Sequence, residues 1–276
     1  MIRLPKEGRH WRSLLSRALG APTAFVICHA CRISSRKVAL ALVYHSVAGR
    51  DGDSAAELVP PHGVGSFRAQ MRLARRCFEI VPASELVPAM TRRPRGGRFP
   101  LAVTFDDDLS SHKTAATILR QLGMTGTFFL TGATLGGPSS FWWQLLQACY
   151  DRGLGTPAAA TAGLDPGGLH DVALAVQLTT RAQRDIVRAH LLELIGGAEA
   201  EPGLHADEVR SLVAGGAEIG FHTLHHDYLP NVPDEALDAA VSEGRDRLES
   251  AANRMVATIA YPHGGADARV AAAARR

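Results

Sequence analysis

Six short apolar runs, separated by amphipathic or loop-forming stretches, constrain this chain more than any other feature. They lie at 38–45, 78–81, 101–105, 125–131, 217–222 and 256–261 and are rich in Val, Ile, Leu, Phe and Thr. Runs of this length bounded by turn residues read as buried strands. Helical patterns fall between them, and strands alternating with helices mean βαβ units and a mainly parallel sheet. The expected class is therefore α/β. Six strands are too few for a complete eight-fold barrel.

The intervening helices carry their own signals. Ser66 can cap a helix with Phe67, Met71 and Ala74 on one face, and 84–90 reads as a short helix. Ser110 or Ser111 can open a helix through Ala115, Ile118, Leu119 and Leu122, stopped by Gly123. Thr180 and Gln183 make a capping-box pair before a stripe of Ile186, Val187, Leu191 and Leu194. Asp207 opens a helix ending at Gly215. Pro233 suits the first turn of another, with Leu237, Val241 and Leu248 facing inward. The Gly/Ala/Pro-rich segment 153–168 reads as a loop.

Charge and cysteine usage exclude several classes. The net charge is only +3, and lysine occurs only at Lys6, Lys37 and Lys113, so arginine supplies nearly all the positive charge. Acidic residues are interleaved with it, so no compact basic stripe beside aromatics marks a nucleic-acid binder. The exception is an N-terminal arm with Arg3, Lys6, Arg9, Arg12 and Arg17. The apolar stretch 18–31 contains Pro22 and His29 and falls short of the roughly 20 residues a membrane span needs. It weakly resembles a signal peptide but has no clean cleavage site, so 1–36 is expected to be a basic, partly helical appendage. Cys28 and Cys31 have metal-ligand spacing, but no second close pair follows to close a zinc site. No Gly-x-Ser-x-Gly elbow points to a serine hydrolase.

Chemistry concentrates where expected strands end, the face on which parallel α/β folds build their sites. The first piece is Asp106-Asp107-Asp108 after Thr104-Phe105. Adjacent carboxylates can divide labour, one binding a cation while its neighbour takes a proton; alone, the same run would serve as a solvated helix-capping turn. The second is His222-Thr223-Leu224-His225-His226. His222 and His226 are four apart, so one helical turn would put both imidazoles on one side, with His225 pointing elsewhere. Two imidazoles and one carboxylate suit a divalent metal with open positions. The third is Tyr261-Pro262-His263-Gly264, either a plain turn or one that presents backbone N–H groups to an oxyanion.

Taken in this order, Thr-Phe-Asp-Asp, His-Thr with a second His at the fifth position, and a Tyr-Pro-x-Gly turn resemble the polysaccharide deacetylase family (the NodB-homology domain of carbohydrate esterase family 4). The resemblance covers roughly 38–265, including Val43-Tyr44-His45, Phe141-Trp142-Trp143 and Glu218-Ile219-Gly220. It implies a distorted (β/α) barrel over 37–276, one divalent metal ion, usually zinc, and an N-acetylated glycan substrate. Residue by residue, it implies that Asp106 is the general base and that Asp107, His222 and His226 are the metal ligands. His263, at the position after the proline, and Tyr261 would serve the oxyanion.

The sequence also departs from the pattern. Asp108 stands where the family's first motif usually has Gly, Asp227 where Pro follows the second metal His, and Ala260 where the third motif has Arg. If position 108 required φ > 0, Asp there would cost roughly 1 kcal/mol. The family's later motifs, with a His that protonates the leaving amine, have no counterpart before Arg276. The expectation is a barrel short at its C-terminus, with His45 or His263 as the substitute acid and activity possible but impaired. A non-catalytic carbohydrate-binding remnant and an amidase acting on a non-sugar substrate are the alternatives.

Overall fold

The computed structural model describes Val26, His29 and residues 32–136, 140–165, 167–197 and 203–276. The basic arm, most of the 18–31 stretch and the Cys28/Cys31 pair lie outside the described residues. No described helix is long and apolar enough to cross a membrane.

The centre is a parallel sheet built from β1 (Leu40–Tyr44), β4 (Glu79–Ile80), β5 (Pro100–Asp106), β6 (Thr127–Leu130) and β7 (Glu218–Phe221). Its order is β1-β5-β6-β7, with β4 also on β5. A separate pair, β2 (Val47–Ala48) and β3 (His62–Gly63), sits in the loop after β1. β5 is buried along almost its whole length, which is why its sequence is continuously apolar rather than alternating. Register places Tyr44 beside Phe105 and Phe128 beside Phe105. Their rings stack, with Phe105–Phe128 centroids 4.7 Å apart. Gly220 lets β7 approach β6: a Cβ there would lie 2.3 Å from Phe129 Cδ1.

Five of the six expected strands join this sheet. The sixth run, 256–261, forms one bridge, Ile259 to Phe221, held by Phe221 N–H to Thr258 O (2.8 Å) and Ala260 N–H to Phe221 O (2.9 Å). Pro262 has no N–H with which to continue the ladder.

The helices around the sheet are α1 (Val64–Cys77), α2 (Leu86–Arg92), α3 (His112–Gln121) and α8 (Ala206–Ala214). α1 starts from Gly63, not Ser66; the Ser66 hydroxyl instead donates to Asp51. Phe67 and Met71 of α1 enter the barrel core with Leu101, Phe105, Phe128, Leu130 and Phe221.

A second core lies in a helical layer of α4 (Trp142–Asp151), α5 (Gly155–Thr161), α6 (Leu169–Gln177) and α7 (Arg181–Leu194). The Thr180–Gln183 capping box forms at α7. Segment 153–168 is not all loop: α5 forms because Ala158 and Ala159 are buried in this second core, so packing overrides weak propensity. Val187 and Leu191 face that core, whereas Ile186 is 57% exposed, one residue around the helix from the buried stripe.

The expected single helix after Pro233 is two, α9 (Asp234–Ser242) and α10 (Arg245–Ala252), with α11 (Ala268–Ala273) last. Gly244, at φ +81°, separates the first two in a conformation that glycine adopts freely. Leu237 and Val241 pack with Leu229 and Val270, while Leu248 belongs to the barrel core.

Candidate metal centre

The last residue of β5, Asp106, pairs in register with Phe129, and Asp107 follows in the left-handed region at φ +72°. That turn re-aims the Asp107 carboxylate into the sheet's C-terminal mouth, where it is 2% exposed. The unusual conformation therefore falls on Asp107 and not on Asp108.

Asp108 has a different task. Its buried carboxylate accepts from Thr131 N (2.7 Å) and Thr131 Oγ1 (2.6 Å), with longer contacts from Gly132 N and Thr134 N (both 3.4 Å). Burial raises its carboxyl pKa against these donors. Asp108 anchors the loop after β6, a role the sequence did not disclose because its partners lie more than twenty residues away.

β7 delivers the histidines. His222 N–H donates to Leu130 O (2.9 Å), fixing the strand end against β6. The chain then turns, with Thr223 at φ +56° and His226 at φ +50°. The segment is not a helical turn, so the expected mechanism of convergence is wrong although the convergence itself occurs. Non-glycine residues held there cost on the order of 1–3 kcal/mol each, and such strain tends to gather at functional sites. His225 points away, its Nε2 lying 3.1 Å from Glu243 Oε2. Asp227 is buried in an ion pair with Arg184 and adds no free carboxylate to the cavity.

Asp107 Oδ1, His222 Nε2 and His226 Nε2 converge. Asp107 Oδ1 is 3.8 Å from His222 Nε2 and 3.3 Å from His226 Nε2, and the two nitrogens are 3.2 Å apart. Bonds of about 2.0–2.2 Å in a tetrahedral arrangement separate ligand atoms by roughly 3.4 Å, so the three distances suit one small divalent ion. His222 Nδ1–H donates to Ala260 O (3.0 Å), leaving the Nε2 lone pair for the cluster. Asp107 Oδ1 is buried without a hydrogen-bond partner, which an ion would satisfy. This buried triad can hold a metal ion.

The two adjacent carboxylates are driven in opposite directions. Burial pushes Asp106 up to about 6; the Asp107 charge adds to this, and His45 and His226 oppose it. Burial also acts on Asp107, but His226 and His222 outweigh it and hold that carboxyl below the usual carboxylate range. His222 is lowered to about 3 by burial first and by His226 second, so it stands neutral, as a metal ligand must. Neighbouring titratable groups driven apart in this way can take separate roles.

A cavity of about 490 Å³ opens over the cluster, lined by Asp106, His45, Trp142, Trp143, Tyr261 and His263 among others. His45 is exposed at the rim, and its carbonyl accepts from His112 Nε2 (3.0 Å). His263 stands at φ +57° in the Tyr-Pro turn, its ring centroid 4.6 Å from that of His226. All seven candidate site residues therefore border one cavity. Sequence reasoning missed Trp143 as a site residue: its ring lies 4.6 Å from the His226 ring.

Residues 180–276 match the family model described as polysaccharide deacetylase. No curated protein sequence matches the chain. Among solved structures, the fold is similar to the Streptococcus pyogenes deacetylase PplD in complex with acetate, at 14% identity and TM-score 0.56, covering 86% of this chain and 79% of that one. It is similar to a polysaccharide deacetylase from Bacillus cereus at 16% identity and TM-score 0.53, covering 86% of this chain and 54% of that one. It is similar also to IcaB from Ammonifex degensii at 14% identity and TM-score 0.52, covering 86% and 82%. At these identities the likeness shows the fold, a parallel α/β sheet of the distorted-barrel type. The family model over its C-terminal third, the fold and an Asp-His-His cluster at the strand ends together make this chain similar to polysaccharide deacetylases.

Proposed function

We propose that this protein is a metal-dependent hydrolase that removes N-acetyl groups from an N-acetylated glycan, chitin-like or peptidoglycan-like. Asp107, His222 and His226 would hold one divalent ion, zinc by the match of two imidazoles and a carboxylate to its preferences. The observation that carries the reading is the convergence of Asp107, His222 and His226 with Asp106 beside them on one cavity at the strand ends.

Bound there, the ion would supply a Lewis acid for the acetamide carbonyl and for water. Asp106, ionised above about pH 6, takes the proton of the attacking water as general base. The backbone N–H of His263, in the turn that follows Tyr261, is the donor assigned to the oxyanion. His45, at the rim, and His263 are the groups assigned to protonate the leaving amine. Trp142 and Trp143 give the cavity an apolar wall against which a sugar ring can pack.

The domain boundary is placed after residue 36. Arg93 donates to the carbonyls of Arg32, Ser34 and Arg36, so the residues just before this boundary lie against the domain.

The test is acetate release from chitin oligosaccharides and peptidoglycan fragments, with the protein zinc-loaded and after chelation. Zinc-dependent release is expected. Zinc binding with no release from any glycan would favour a non-catalytic remnant, and release only from a non-sugar acetamide would favour an amidase.

A further inference from the structure

The two histidines of the cluster are oriented by different means. His222 has the usual second anchor, its Nδ1–H on the Ala260 carbonyl. His226 has none: its Nδ1 is buried without a hydrogen-bond partner, and its backbone sits at φ +50°. Something else must hold the ring, because a non-glycine left-handed residue persists only where its surroundings over-determine it.

Two contacts reach it from the helical layer. Trp143 packs on the His226 ring, with Phe141 stacked behind it at 4.3 Å. The next residue, Asp227, is ion-paired to Arg184 of α7, and the pair is buried, with side chains 9% and 10% exposed. The other arm of the Arg184 guanidinium donates to Thr179 O at 2.6 Å, just before α7 begins. One planar cation therefore ties the residue after a metal ligand to the start of a helix.

A buried ion pair is weak evidence for stability. Its desolvation cost offsets much of its attraction, and apolar replacements of both partners are often neutral or stabilising. What a rigid guanidinium fork does supply is position.

We propose that Arg184 is a positioning residue: through Asp227 it fixes the turn that carries His226, so the helical layer sets the geometry of the metal cluster. The proposal rests on the metal-binding reading of Asp107, His222 and His226.

Cobalt(II) titration separates the two claims, with its visible absorption band reporting coordination geometry. The double variant Arg184→Met/Asp227→Leu removes the pair without stranding a buried charge. It should bind cobalt(II) about 10–100-fold more weakly than wild type, the range seen when groups that orient ligands are lost. Its absorption band should also change, and kcat should fall more than KM shifts. Arg184→Lys keeps the charge but loses the fork and should recover part of the affinity. A folded double variant with wild-type cobalt affinity and an unchanged band would overturn the proposal. Should the double variant not fold, Asp227→Asn decides: it keeps shape and one hydrogen bond but loses the charge, and unchanged affinity and band there would equally overturn it. Wild type that binds no cobalt(II) would sink the metal reading itself, and this proposal with it.

Discussion

The barrel body and the helical layer contribute to the same cavity in different currencies. The barrel gives chemistry: Asp106 and Asp107 from the end of β5, His222 and His226 from the end of β7. The layer of α4–α7 gives shape and support, with Trp142 and Trp143 as a wall and Arg184 as a brace. The barrel's groups are set by strand ends locked in a parallel ladder. The layer rests on its own core of Leu145, Leu146, Val176 and Leu191. The strand ends thus place the turns that carry these groups, while the layer braces one of them, the turn of His226, through Arg184 and Asp227.

The largest expected effects lie in the barrel. His226→Ala or His222→Ala should abolish both metal binding and acetate release, since a cluster of three protein ligands has none to spare; metal analysis of the purified variants checks this. Asp106→Asn should separate the two properties, leaving bound metal in place while turnover falls by about 10²–10⁴-fold, the usual contribution of a general base. Turnover unchanged by Asp106→Asn would mean that another group takes the proton, and the division of labour drawn for the two carboxylates would fail.

The layer should respond differently. Leu191, fully buried in its core, becomes a cavity in Leu191→Ala at a cost of about 2–5 kcal/mol. Amide exchange should accelerate across α4–α7 and stay slow in β5 and β6, with metal affinity reduced far less than in the histidine variants. Uniform acceleration across both regions would show that the two cores unfold as one and would dissolve the contrast.

The smallest effect is a pH dependence inside the barrel core. Burial lowers His112 to about 4 from an ordinary value of 6.5. The unfolded chain then binds the proton more readily than the folded one between those values. Stability is complete above about pH 6.5 and is lost as pH falls toward 4, by at most on the order of 3 kcal/mol from this group. Urea unfolding of metal-free protein at pH 7 and pH 4.5 should show a steeper acid loss for wild type than for His112→Phe, which keeps an aromatic ring beside Phe105 and Phe128. Equal losses would remove His112 as a source of acid sensitivity.

The sequence by itself determined the strand–helix alternation, the apolar continuity of β5 and the gathering of acidic and imidazole residues after the strands, while the choice of Asp107 as the carboxylate of the cluster came from the family resemblance. The first three follow from short-range rules: periodicity, strand length, and acidic and imidazole side chains placed just after apolar runs. It also carried the capping box at Thr180, because both partners lie within one turn.

Only the tertiary structure decided how the pieces meet. The left-handed turn at Asp107, and not at Asp108, depends on Asp108 finding donors at Thr131 across the sheet. The histidines converge through a strained turn and not a helix, and Asp227 is neutralised by a residue 43 positions earlier. α5 exists because a neighbouring core receives its alanines, and the run at 256–261 stays a single bridge where Pro262 ends the ladder. Each of these turns on a partner distant in sequence, and the free energy of a long-range contact is not written in the local pattern of either residue that makes it.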